Sequence, residues 1–509
     1  MLKMQGISKN FASTRALDGV DFQLRQGEIH ALLGENGAGK TTLMKILYGM
    51  IAPDEGGIFL DGESINIKHS TDALASGICM VHQHFMLVPA FTVLENVISN
   101  LEPRNGIFTD MKVARKQVLE LIQQFHFDLD PDIRLERLSV GEQQRVEILK
   151  ALYRKAKILI LDEPTAVLTP HEVKNLFNVL NQLRQQDKSI IIITHKLKET
   201  FEIADRITVL RDGKIIDQDI IPSETTIEKL SCMMVGRQID LQRKKNPMRK
   251  GEVCLHVEHL SVTEHGKLKL DDISFDVHKG EILGIAGIEG NGQSQLLEAL
   301  TGLRKVENAT ILLNGTRVVG DAFDFLRAAI AHIPEDRLSM GLVKEMSVED
   351  NLILGYHHEE SVCTKGFLKK KRISERAKEA IGKFQIKTNN PDSFVKTLSG
   401  GNQQKIVIAR ALDHDPELLI AAHPTRGVDV GAMEYIHEKI LEMRDRGKAV
   451  LLVSADLDEV RSLSDRLLVL YEGRIVLSSL PGQHSEMQLG LMMTGSSISS
   501  ITGNCDETD

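Results

Sequence analysis

The chain repeats itself. ALLGENGAGKTT, from Ala31, returns as GIAGIEGNGQSQ, from Gly284, and the flanking ALDGVDF and KLDDISF keep the same spacing of 253 residues. Further along, LSVGEQQ and LSGGNQQ, ILDEPTAVLT and LIAAHPTRGVD, and DRITVLRDGKII and DRLLVLYEGRIV stand 260 residues apart. Matches that keep one order through both halves require two like domains in tandem. The spacing grows between the early and late pairs, so the second half carries a small insertion in its middle, where a variable subdomain tolerates one. Between the halves, GRQIDLQRKKNPMRKGE is polar, basic and contains Pro, which reads as a linker. The expected division is a first domain at 1–236, a linker at 237–252, a second domain at 253–494 and a disordered tail at 495–509, serine-rich and then acidic.

With 509 residues, 42% of them hydrophobic and 26% charged, each half can bury a core of its own. Glu28 to Leu33, Ile158 to Leu161 and Ile190 to Ile193 are near-continuous apolar runs, as strands buried on both faces of a parallel sheet must be. The fold class is therefore α/β, with ligands expected at the carboxyl ends of the strands. From about Glu95 to Leu135, charged helix-forming residues predict an inserted helical subdomain. A net charge of −9 and 4% aromatics without Trp argue against nucleic acid as a partner. No run reaches the roughly eighteen apolar residues of a membrane span, and MLKMQGISKN has no signal-peptide core, so the chain itself is expected in the cytosol. Its five cysteines are scattered and never in CxxC spacing, which points to neither a disulfide frame nor a zinc site.

The first copy carries a phosphate loop. Gly34, Glu35, Asn36, Gly37, Ala38, Gly39, Lys40 and Thr41 fit GxxxxGK[ST] directly after a strand, with Thr42 following. Backbone N–H groups of such a loop wrap a triphosphate, Lys40 reaches the β- and γ-phosphates, and the Thr41 hydroxyl ligates Mg2+. The strand KILIL ends at Asp162 and Glu163. Alone, such a pair is often a helix N-cap; after a phosphate loop it reads as a metal-holding carboxylate, Asp162, and a general base, Glu163. The next buried strand delivers His195 toward the γ-phosphate, and Gln83 supplies an amide that can approach metal and water. Phe11 can stack on adenine or fill the core.

These motifs, with LSVGEQQ and LSGGNQQ just upstream of the strands that end at Asp162 and Ala422, resemble the ATP-binding cassette (ABC) ATPases along nearly the whole chain. The resemblance implies two tandem P-loop NTPase domains, each with a mixed, largely parallel sheet and an inserted helical subdomain, using ATP and Mg2+. It also implies that cassettes pair head to tail, so that the loop of the first half faces Ser399, Gly400, Gly401, Gln403 and Asp429 of the second. The loop of the second half, with Gly287, Gly290, Gly292, Gln293 and Ser294, would face Ser139 and Gly141. In that second half Gln293, Ala422, His423, Ala455 and Glu264 replace Lys40, Asp162, Glu163, His195 and Phe11, and Glu335 stands where Gln83 does. It is expected to hydrolyse poorly or not at all.

Two fused cassettes with GIEGNGQ and PTRGVDVGA resemble the ATP-binding subunits of bacterial monosaccharide and nucleoside importers, the nucleoside branch more closely. The implied setting is the cytoplasmic side of the cell membrane, with two integral-membrane permease subunits and, indirectly, an extracellular solute-binding lipoprotein. HFMLVPAF, from His84, and RLSMGLV, from Arg337, are candidate contacts for the permeases or ordinary core. The other reading is a soluble twin-cassette ATPase acting on ribosomes or nucleic acid, which the short linker and acidic balance disfavour.

Overall fold

The computed structural model describes every residue except 12–13, 83–85, 107, 126, 166–167, 237–244, 265, 289, 307–308, 389 and 496–509. Gln83, half of the linker and the tail thus lie outside the described residues. The chain divides into two compact units, Met1–Leu241 and Gln242–Asp509.

In the first unit a six-stranded sheet runs in the order Lys214–Ile220, Arg206–Arg211, Ile29–Leu33, Ser189–Thr194, Ile158–Asp162, Ile78–Val81. All neighbours are parallel except the first pair. Every residue of Ile29–Leu33, Ile158–Asp162 and Ser189–Thr194 is buried, because both faces of the sheet are covered. Alternate residues serve different cores, as the two-residue period of a strand requires. Ile158 and Ile160 pack with Leu43, Leu47, Phe22 and Val20, from the helix Lys40–Leu47 and a four-stranded antiparallel sheet. Leu159 and Leu161 pack on the other face with Leu180, Val146 and Val118. That second face carries the helical subdomain, including Val93–Ile98, Met111–Gln124 and Val140–Tyr153.

The second unit has the same plan. Its main sheet runs Ile330–Ile333, Leu418–Ala422, Ala449–Ser454, Ile282–Ala286, Arg466–Tyr471, Arg474–Ser479, parallel but for the last pair. Most of the insertion resolves into two places. The helix Val93–Ile98 corresponds to Val348–Ile353 at a spacing of 255, three more than Gln83 to Glu335. The added residues lie by a π-helical turn, Arg337–Gly341. The hairpin strand Arg104–Asn105 corresponds to Cys363–Thr364 at 259, so four more residues lengthen the connection after Ile353.

Strand register sets up the site. Ile193 pairs with Asp162 and Thr194 with Leu33, so the chain leaves three adjacent strands within one residue of a common level. The phosphate loop, Glu163 and His195 follow directly.

Candidate functional site

The first loop is closed by its glycines and its lysine. Gly37 has φ 88° and Gly39 φ 106°, left-handed conformations that favour glycine. A Cβ on Gly39 would lie 2.7 Å from the Ala16 carbonyl oxygen. Lys40 Nζ donates to the carbonyls of Gly34 at 2.7 Å and Glu35 at 2.9 Å. Lys40 is buried, which lowers its pKa against the opposing pull of Glu163, Asp162 and Glu35. The ammonium is thus folded over the loop, where a phosphate oxygen can replace carbonyl partners.

Across the loop, Thr41 Oγ1 donates to Asp162 Oδ2 at 3.4 Å. Burial, then the charge of Glu163, push the Asp162 carboxyl up to about 6. A buried carboxylate beside a second one, with a hydroxyl at hand, fits a divalent cation that would relieve the crowding. Among the described residues no group of three or more His, Cys, Asp and Glu could hold a metal ion. A cation here would complete its shell with phosphate and water.

Glu163 has the opposite balance. Burial would raise its pKa, but the hydrogen bond and charge of His195, with Lys40 and Lys196 beyond, hold it below the usual carboxylate range. His195 Nδ1 stands 3.0 Å from Glu163 Oε1. An ionised carboxylate so oriented can accept a proton from a water. Its backbone is strained at φ 47°, and its N–H donates to the Ile193 carbonyl at 2.9 Å. Phe11, at a strand end, is 45% exposed, and Lys9 Nζ lies 5.8 Å from its ring centre. Asn36 and Gly37 form the exposed tip of the loop, and Ala38 is buried beneath it.

In the second unit the cradle survives and its charges differ. Gly290 and Gly292 have φ 99° and 105°, close to their counterparts in the first loop. His423 has φ 43° and donates its N–H to the Val453 carbonyl, as Glu163 does to Ile193. Gln293 is only 4% exposed, and its Nε2 has no hydrogen-bond partner. Ser294 Oγ donates to Glu335 Oε2 at 3.1 Å. At the position of Phe11, Glu264 pairs with Arg304 at 2.7 Å and accepts from Gln295 at 3.2 Å, so the aromatic plate is replaced by a charged cluster.

The signature helices start differently. Ser139 caps Val140–Tyr153 in a reciprocal box, its Oγ accepting from Glu142 N at 3.3 Å while its N–H donates to Glu142 Oε2 at 2.7 Å. Ser399 makes no such cap at Gly400–Leu412; it accepts from Asn402 Nδ2 instead, at 2.9 Å. Gly401 lies against the carboxylate of Asp429, which itself caps the helix Val430–Asp445 by accepting from Ala432 N at 2.7 Å. Gln403 is turned inward, donating to the carbonyls of Val395 and Leu398 at 3.2 and 3.1 Å. Its side chain therefore shapes the signature turn from below.

Sequence reasoning missed the neighbours Gln144 and Gln404. Their amides donate to the carbonyls of Pro164 and Pro424, tying each signature helix to the turn after the acidic strand. Identity at a spacing of 260 was the available signal.

The ABC transporter family model matches residues 17–166 and again 270–426, once in each unit. The chain belongs to the ABC transporter family. As a member it binds ATP and couples ATP hydrolysis to transport. The nucleoside import ATP-binding protein NupA of Lactococcus lactis subsp. cremoris is 45% identical, over 98% of this chain and 99% of its own. The ribose import ATP-binding protein RbsA of Geobacillus kaustophilus is 40% identical, over 93% of this chain and 95% of its own. Among solved structures, that of an archaeal ribosome recycling factor with a ribosomal stalk protein matches with a TM-score of 0.61 over 92% of this chain and 88% of its own. At 20% identity that likeness shows the fold alone.

Proposed function

We propose that this chain is the ATP-hydrolysing subunit of an importer for a nucleoside or simple sugar, working through separate membrane permease subunits. The observation that carries this reading is likeness to an import subunit along almost the entire length of both chains. The higher identity to the nucleoside protein than to the ribose protein, 45% against 40%, favours a nucleoside. No helix among the described residues is long and apolar enough to cross a membrane, in keeping with a subunit bound to permeases.

Two exposed apolar patches support permease docking. After the strand Ile78–Val81, Met86 is 65% exposed and Val88 and Phe91 are each 44% exposed. After Ile330–Ile333, Met340 is 52% exposed, with Leu338, Val343 and Met346 beside it in sequence. Both patches are pinned alike. Asn96 bonds the backbone of Val88 in both directions, and Asn351 does the same at Val343. Each is also tied to its signature helix, by Glu147 to Met86 N and by Arg410 to the Gly341 carbonyl. A partner helix on such a patch would feel movement of the signature helix. Two patches suit two permease subunits on the cytoplasmic side of the membrane, with a solute-binding lipoprotein delivering substrate outside.

Within the chain, one site does the hydrolysis. Gly34 to Thr42 hold the triphosphate, Thr41, Asp162 and Gln83 hold Mg2+, Glu163 is the general base, His195 orients it, and Phe11 meets the adenine. Ser399, Gly400, Gly401 and Asp429 of the second cassette also meet ATP. The absence of a side-chain cap at Ser399 suits a phosphate there, whereas at Ser139 the Glu142 carboxylate lies against the helix start.

The test is uptake of radiolabelled nucleoside by cells lacking this gene. Wild-type chain is expected to restore it and Glu163→Gln to fail. Restoration of ribose uptake alone would move the substrate to the sugar branch, and co-sedimentation with ribosomes without any uptake defect would overturn the importer reading.

A further inference from the structure

The second loop keeps a cradle, a hydroxyl and one carboxylate. The carboxylate has moved. In the first unit Thr41 Oγ1 meets Asp162, at the end of the strand Ile158–Asp162, at 3.4 Å. In the second unit the matching strand ends in Ala422, and Ser294 Oγ meets Glu335 at 3.1 Å, beyond the neighbouring strand Ile330–Ile333. Formal charge is conserved by the exchange. Lys40, Asp162 and Glu163 together carry one net negative charge, and so does Glu335 with Gln293, Ala422 and a neutral His423.

A second observation points to a ligand. Gln293 Nε2 is buried against Gly287 at the base of the loop and has no partner. A buried donor left unmade is costly. A phosphate oxygen in the loop would satisfy it, and the left-handed glycines that shape the cradle are retained at Gly290 and Gly292. The Glu335 carboxylate meets Ser294 through Oε2 at 3.1 Å and the Arg426 guanidinium through Oε1 at 3.8 Å.

We propose that the second loop is a magnesium-nucleotide site in which Glu335, with Ser294, supplies the metal-ligating carboxylate that Ala422 lacks. Gln293 donates to the polyphosphate without adding charge. With His423 in place of a carboxylate, the site retains its nucleotide rather than cleaving it. This rests on the reading of the second cassette as non-hydrolysing. The competing physical role for Glu335 is repulsion of phosphate, which predicts the opposite sign in the same experiment.

The experiment is equilibrium binding of radiolabelled ATP to the full chain carrying Lys40→Ala, in Mg2+ and in EDTA. Binding is expected to remain and to be about 10-fold or more tighter in Mg2+, the size of one charge-assisted contact. Adding Glu335→Gln should bring that ratio close to 1, and Ala422→Asp in the same chain should restore it. In a Glu163→Gln chain, which keeps Lys40, Glu335→Gln should lower the Mg-ATP stoichiometry from two toward one. Tighter binding in Glu335→Gln, an unchanged Mg2+ ratio, or no second nucleotide in either background would overturn the proposal. ATP turnover by the Lys40→Ala chain is read separately: turnover there would sink the single-site reading whatever Glu335 does.

Discussion

Glu163→Gln is expected to lower ATP turnover of the assembled transporter by about 10²- to 10⁴-fold, the usual worth of a general base, while leaving ATP affinity nearly unchanged. The substitution preserves size and retains an oxygen facing His195 Nδ1, 3.0 Å from the native carboxylate. What it removes is the charge that His195 and Lys40 hold ionised in a buried site. Steady-state ATPase assays paired with nucleotide binding separate the two effects. Substantial residual turnover with intact affinity would mean that Glu163 is not the base. The converse exchange is asymmetric: Gln293→Lys should raise turnover little, because Ala422, His423 and Ala455 still lack the groups of Asp162, Glu163 and His195.

The second large effect is in the backbone of the loop. Gly39→Ala should weaken ATP binding about 10- to 100-fold, whereas Gly37→Ala should cost clearly less. Both glycines have positive φ, 106° and 88°, so either alanine is strained, by roughly 1–3 kcal/mol. Only Gly39 adds a collision. Its Cβ would sit 2.7 Å from the Ala16 carbonyl oxygen and 2.8 Å from Leu17 Cδ2, and the oxygen belongs to backbone that cannot rotate aside. Around Gly37 there is nothing within 4 Å. The loop must move to accept a methyl at 39, and the N–H groups that face phosphate move with it. Isothermal titration with ATP on both variants checks this; equal affinities would show that the loop relaxes freely.

Much of this was legible as a repeat. Spacings of 253 and 260 marked the two units, and the apolar runs gave the buried strands whose register brings Leu33, Asp162 and Thr194 within one residue of a common level. The family match and the mixed, largely parallel sheets agree with the fold so read. Conformation was the hidden part. Nothing in the letters Asp-Glu and Ala-His announces that Glu163 and His423 share a left-handed backbone at φ 47° and 43°. Glu335 looked like one more lost group when set against Gln83. Its meeting with Ser294, 41 residues earlier, appears only once the fold brings together the ends of Ile282–Ala286 and Ile330–Ile333, which have two strands between them in the sheet. The inward turn of Gln403 depends on the short helical turn Val395–Thr397 beneath it, which motif spacing does not specify. By contrast, the closed start of the first signature helix was written plainly as Ser-x-x-Glu at Ser139 and Glu142.

The central claim is one hydrolytic site per chain, built on the first loop. Trapping of photoreactive azido-ADP by vanadate in the assembled transporter tests it most directly, because vanadate retains ADP only where the transition state of phosphate cleavage can form. One trapped nucleotide per chain, cross-linked to the first unit and lost in Glu163→Gln, is the predicted result. Label at the loop of Gln293, or two trapped nucleotides per chain, would contradict it.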